Sequence, residues 1–319
     1  MSLPGRLLLH LWHTPANRIC DSIRSGGPIA QWRTELARRE MEEAAAGLPE
    51  LPEFQGASPV ALHVMTGRKF WYQTVFCLHS LSQAAQATVR ADLYDDGTVD
   101  AECARLLARM GPRVRLHPAG EAMAKLEEFL PVSRFPVLRE RWLHYPNLRK
   151  MTDIHLGQAG WKLVIDSDLL FFRRPDALLE WCAHPGHSLH AVDCQESYGY
   201  SRALMERLAG APIPPLINVG LCGLRSEALD WPELESWCAE LIALEKTNYY
   251  LEQALIAMLM AREAGRVVVP AADYVTKPGK AEARSPRAVM HHYVAESKRW
   301  YFCDAWRLIP DADKHRLIH

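Results

Sequence analysis

From Pro59 onward the chain repeats one pattern that few architectures satisfy: short, mostly apolar runs alternate with longer stretches of helical periodicity. The runs are 60–65, 88–94, 113–117, 161–165, 189–192, 221–224 and 266–269. Val60-Ala61-Leu62-His63-Val64-Met65 and Trp161-Lys162-Leu163-Val164-Ile165 are too continuous in apolar character for strands with one wet face, so both sides must be covered. Helical segments are expected at 71–87, 101–110, 135–159, 231–244 and 252–262. Strands and helices in alternation build an α/β fold, a mostly parallel sheet flanked by helices.

Composition bounds what such a fold can do. The chain has 319 residues, 49% of them hydrophobic, enough for a substantial buried core. Its formal net charge of -1 provides no overall field to recruit nucleic acid or an anionic membrane, so an anionic substrate must be handled by local charges. The eight cysteines form no C-x-x-C pair and read as reduced core residues. The apolar run at 7–12 is interrupted by His10 and too short for a secretory core, and no segment approaches a membrane span, so a cytoplasmic location is expected. Residues 1–57 differ in texture: Ser25-Gly26-Gly27-Pro28, a charged helical stretch at 31–46, then Pro-rich residues 48–52. They read as an N-terminal extension and linker whose helix packs through Trp32, Leu36 and Met41. The main domain is expected at 58–310, with a tail at 311–319.

Asp166-Ser167-Asp168 follows directly on the buried run 161–165. Carboxylates at the carboxyl end of a strand point to where ligands bind in open α/β sheets, and hard oxygens there suit Mg2+ or Mn2+. The spelling alone carries little, because Asp311-Ala312-Asp313 repeats it in a polar tail with no strand before it. A remote segment, His292-Tyr293-Val294-Ala295-Glu296-Ser297-Lys298-Arg299-Trp300, offers an imidazole able to complete a metal site and an ammonium able to neutralise phosphate. On chemistry alone His291 could serve as well as His292.

Taken together these motifs resemble glycosyltransferase family 8, over roughly residues 59–303. The family's C-terminal pattern is His-aromatic-x-Gly-x-x-Lys-Pro-Trp; here Ala295 stands for the glycine and Arg299 for the proline. Ile217-Asn218-Val219-Gly220-Leu221 is similar to its Phe-Asn-x-Gly segment, and Glu252-Gln253 to its Asp-Gln pair. Asp193 matches a family aspartate that contacts the donor sugar. The resemblance implies a GT-A-like Rossmann-type fold and transfer of a hexose from a nucleotide diphosphate sugar to an unidentified acceptor, with retention. The implied donor is UDP-glucose or UDP-galactose, and the implied cofactor is Mn2+ or Mg2+. Asp166, Asp168 and His292 would hold the metal, with Asp166 also near the ribose. Lys298 would stabilise the departing diphosphate, Asn218 and Gly220 would border the donor sugar, and Gln253 and Asp193 would act at its anomeric end. Lys150 would supply a basic group near the donor, while Thr66 and Tyr72, in the loop after the first strand, would form the nucleotide pocket.

Two other readings stay open. A sugar-nucleotide pyrophosphorylase also binds such donors on an α/β sheet but opens with a Gly-rich loop, whereas Thr66-Gly67-Arg68-Lys69 has one glycine. A non-catalytic scaffold that binds a sugar nucleotide or glycan is compatible with Ala295 and Arg299. The aromatic group Trp300, Tyr301, Phe302 and Trp306 reads as packing and not as a sugar platform.

Overall fold

A computed structural model describes residues 27–56 and 58–309. The apolar run at 7–12 and the second Asp-x-Asp, Asp311-Ala312-Asp313, lie outside the described residues. A seven-stranded sheet runs β3-β2-β1-β4-β7-β6-β8. Its strands are β1 (Val60–Thr66), β2 (Val89–Asp95), β3 (Val114–His117), β4 (Trp161–Ile165), β6 (Ser188–Val192), β7 (Ile217–Arg225) and β8 (Arg266–Val268). The pairs β1–β2, β2–β3, β1–β4 and β6–β8 are parallel, and β7 alone runs against both neighbours, β4 and β6. The fold is therefore the mixed, helix-flanked α/β sheet that the alternation predicts.

Helix Trp71–Ala85 is buried almost all round, as is Leu251–Ala261. The first lies against β1 and β2, and the second against β7. Side-chain caps fix other helix starts: Asp100 accepts from Cys103 N at 2.8 Å, and Asp230 from Glu233 N at 3.0 Å.

A second, three-stranded sheet lies beyond the strands that the sequence predicts. It is made of β5 (Leu169–Phe171), β10 (Met290–His292) and β9 (Tyr274–Thr276), with β10 in the middle. Strands of three residues leave too short a period to read. Their pairing is nonlocal, and β10 meets β5 antiparallel with His292 opposite Leu169. The expected helix at 135–159 is two helices, Pro136–His144 and Arg149–His155, separated by a tight turn at Pro146–Leu148. Pro146 accounts for the break, since the residue before a proline avoids helical geometry. Asn218 and Gly220 sit inside β7 and not in a turn before it.

The N-terminal helix is Pro28–Gly47, and its buried residues are Ala30, Ala37, Met41 and Ala45. Of the three positions expected to pack, only Met41 does; Trp32 is 62% and Leu36 37% exposed. The smaller alanines win the inward face because the helix lies close on helix Trp71–Ala85 and on the C-terminal helix Lys298–Cys303. Met41, Leu48 and Leu51 join the same core as β1 and β2. Cys77, Cys103, Cys222 and Cys238 are buried free thiols, while Cys194 is a free thiol exposed at the surface. Among the described residues no helix is long and apolar enough to cross a membrane.

Candidate active site

The two sheets meet at Asp166-Ser167-Asp168, the link between β4 and β5. Asp166 N donates to Gly220 O of β7 at 2.8 Å, and Asp168 O accepts from Tyr293 N, just past β10, at 3.1 Å. One aspartate is thus pinned to the large sheet and the other to the small one. This junction brings His292 to the carboxylates across more than a hundred residues of chain.

Each aspartate has one oxygen held by a lysine. Lys150 Nζ lies 2.8 Å from Asp166 Oδ1, and Lys298 Nζ lies 2.7 Å from Asp168 Oδ2. The other two oxygens turn toward His292 Nε2, at 3.7 Å for Asp166 Oδ2 and 3.3 Å for Asp168 Oδ1. Asp168 Oδ1 and His292 Nε2 are buried and make no hydrogen bond of acceptable geometry. Two orphaned polar atoms facing one point would cost about 1–3 kcal/mol each if nothing joined them.

The tautomer of His292 is fixed from behind. Asn218 Oδ1 accepts the backbone N–H of Gly220 at 2.9 Å, which orients the amide, and lies 3.1 Å from His292 Nδ1. In the neutral ring the proton therefore sits on Nδ1 and the lone pair of Nε2 faces the aspartates; in the imidazolium that the aspartates favour, Nε2 carries a second proton, which a bound cation would displace. A Cβ on Gly220 would stand 2.2 Å from His292 Cε1, so only glycine leaves room for the ring. These are tasks behind the imidazole.

Burial works against ionisation of Asp168, yet Lys298 and His292 hold its carboxylate well below the ordinary range. Burial also disfavours an imidazolium at His292, but Asp168 and Asp166 keep its pKa above the ordinary value. For Lys150, burial is outweighed by Asp166 and Glu252, which hold the ammonium charged. His291 has the opposite fate: burial lowers its pKa despite Glu282, and its nitrogens pair with Tyr293 Oη at 2.9 Å and Glu282 Oε1 at 3.2 Å.

Asp166, Asp168 and His292 each offer one ligand atom within 4.8 Å of the others. Two carboxylate oxygens and an imidazole nitrogen are a donor set that suits a divalent ion such as Mn2+. With their orphaned atoms convergent, the residues fit such an ion. They border a cavity of about 420 Å3 that also contains Lys150, Asp193, Asn218, Gly220, Gln253 and Lys298. At its far end Gln253 Nε2 donates to Asp193 Oδ2 at 3.0 Å and to Ile217 O at 2.8 Å. Both amide protons are used, which fixes the direction of Gln253 Oε1.

Thr66 and Tyr72 do not border this cavity. Thr66 is buried against Thr74 at 2.8 Å, and Tyr72 is 2% exposed beneath Arg38 of the N-terminal helix. The accessible aromatic of that loop is Phe70, 40% exposed. Sequence reasoning also passed over Gln73, whose Oε1 accepts from Lys298 Nζ at 3.1 Å, and the tyrosines Tyr145, Tyr249 and Tyr250 at the cavity wall. Tyr249-Tyr250, standing directly before Leu251-Glu252-Gln253, was the one signal available for them.

No family profile matches the chain, and no curated protein matches it. Solved structures do. Mouse xyloside xylosyltransferase 1 in its apo form aligns at 16% identity over 74% of this chain and 97% of its own, with a TM-score of 0.50. The galactosyltransferase LgtC, in complex with donor and acceptor sugar analogues, aligns at 14% identity over 79% of this chain and 95% of its own, with a TM-score of 0.51. At such identities the likeness is one of fold, and the fold this chain carries is that of the GT-A glycosyltransferases.

Proposed function

We propose that the protein is a metal-dependent hexosyltransferase that uses a nucleotide diphosphate sugar, UDP-glucose or UDP-galactose being the leading donors, and an acceptor still to be identified. The observation that carries this reading is the convergence of Asp166 Oδ2, Asp168 Oδ1 and His292 Nε2, with the opposite oxygens of both aspartates tied to lysines.

A divalent ion held there would neutralise charge on the diphosphate leaving group. Lys298, on the cavity wall, adds a point charge for the same phosphates, and its bonds to Asp168 and Gln73 hold it in place before substrate arrives. Lys150 lies on the inner wall, paired with Asp166. Gln253, held through its amide nitrogen by Asp193 and Ile217, borders the cavity and would act at the anomeric end of the donor sugar through its Oε1. Asp193, the carboxylate beside Gln253, accepts a hydrogen bond from its amide, an arrangement compatible with a front-face path and retention.

The test is a thermal-shift panel of UDP, GDP, CDP and their sugars with and without Mn2+, on the wild-type chain and on Asp168→Ala. A metal-dependent rise in Tm for one nucleotide is expected, about 2.7 kcal/mol of stabilisation at a hundredfold excess over Kd. Asp168→Ala should keep its fold, lose that rise and lose metal-dependent sugar release from the donor by about a thousandfold. Unchanged turnover in Asp168→Ala would sink the metal assignment.

A further inference from the structure

Among the described residues, Lys150 and Glu252 form the ion pair whose two side chains are both buried, at 9% and 4% exposure, with Nζ 3.3 Å from Oε1. Burying two charges costs several kcal/mol per ion unless geometry and further partners compensate, so such a pair is seldom kept for stability alone. Its partners come from different helices, Arg149–His155 and Leu251–Ala261. They meet behind Asp166, and the same ammonium holds Asp166 Oδ1 at 2.8 Å. The order is therefore Glu252, Lys150, Asp166, with the far oxygen of Asp166 facing His292.

A lysine with one partner can swing about its four-carbon stem, because an ammonium is a point charge without a preferred plane. With a second carboxylate behind it, Nζ is confined to the line between the two. That confinement selects which oxygen of Asp166 is engaged and which is left. Leu251–Ala261 also carries Gln253, so one helical turn anchors both the metal end and the sugar end of the cavity.

We propose that Glu252 is a positioning residue for the cation site. It acts through Lys150 to orient Asp166 so that one oxygen is left for the ion. This rests on the reading of Asp166, Asp168 and His292 as that site. Glu252 borders the same cavity, and one of its carboxylate oxygens lies 3.3 Å from the lysine Nζ.

The experiment measures Mn2+ binding to donor-free protein by loss of the free-ion electron paramagnetic resonance signal, in the wild type, D168A, E252Q, K150M and K150M/E252Q. D168A should abolish binding; if it does not, the cation-site reading fails, whatever Glu252 does. Given that control, E252Q should weaken Mn2+ about tenfold, the scale of an outer partner of a metal ligand. In the K150M background the same change should cost less than about threefold, because Glu252 then has no lysine to aim. Equal losses in both backgrounds, or none in either, overturn the proposal. Should E252Q not fold, E252D keeps the charge but withdraws it by one methylene. It is expected to weaken Mn2+ about threefold or more with Lys150 present, and wild-type affinity in E252D also overturns the proposal.

Discussion

His291 and His292 are chemically identical neighbours, and the pleat of β10 decides between them. Successive side chains of a strand face opposite ways, so one ring meets Glu282 and the other meets the aspartates. Ala295 shows the same control by local geometry. It has φ +49°, in the left-handed region where the resembling family places glycine. A left-handed alanine costs about 1–2 kcal/mol, offset by about 0.4–1 kcal/mol that glycine would lose through unfolded-chain entropy. Ala295→Gly should therefore raise stability by about 0.5–1 kcal/mol, seen as a Tm higher by about 1–3 °C; a lower Tm would mean the loop is not strained. Arg299 lies in the first turn of helix Lys298–Cys303, where a proline would also fit because its missing N–H has no intrahelical partner. Neither departure disturbs the register of His292 and Lys298.

Asp153 supplies the pH dependence at this scale. It is 4% exposed, its Oδ1 accepts from Trp142 Nε1 at 2.7 Å and Thr152 Oγ1 at 2.8 Å, and its Oδ2 is buried without a partner. Burial pushes its pKa up to about 6, against those two hydrogen bonds. An acid raised on folding favours the native state fully below its unfolded pKa of about 3.9, and that advantage is lost as pH climbs through about 6. Asp153→Asn keeps the acceptor and removes the charge. It should be more stable than wild type by about 1 kcal/mol at pH 7 and no more stable at pH 4, as read by urea unfolding at both values. A variant equally destabilised at both pH values would contradict the assignment.

At the scale of elements, the N-terminal helix Pro28–Gly47 is bound into the core although it lies outside the region of family resemblance. The amphipathic pattern pointed to Trp32, Leu36 and Met41, but packing against two helices at close range selected a small-residue face around Met41. Met41 is fully buried, so Met41→Ala should cost about 2–4 kcal/mol through lost burial and a residual cavity. Trp32→Ala, at a side chain 62% exposed, should change stability by less than about 0.5 kcal/mol in the same denaturation assay. Comparable losses from both would mean that the outward face is covered in solution. Periodicity reports that a helix has an apolar side; it does not say how near the neighbour lies.

At the scale of the whole molecule, the α/β class and six of the seven strands of the large sheet follow from composition and period, with boundaries close to those observed. β7 was legible only in its second half, because Asn218 and Gly220 look like turn residues when no partner strand is in view. Asp166 and Asp168 could be singled out because they follow a buried strand directly, and a strand's end is a local property. The segment of His292 and Lys298 could be noticed for its chemistry, but only the family register chose His292 over His291, since nothing local separates the two. The small sheet β5-β10-β9, which seats His292 against the aspartates, is built from segments of three residues each, too short to carry a period. The sequence by itself determined the layered fold and the strand that presents the two carboxylates, because both arise from contacts among near neighbours. Only the tertiary structure decided which oxygens are tied to Lys150 and Lys298, which histidine faces them, and that Glu252 lies behind Lys150. Those outcomes depend on where separate elements meet, and that is set by the packing of the entire chain.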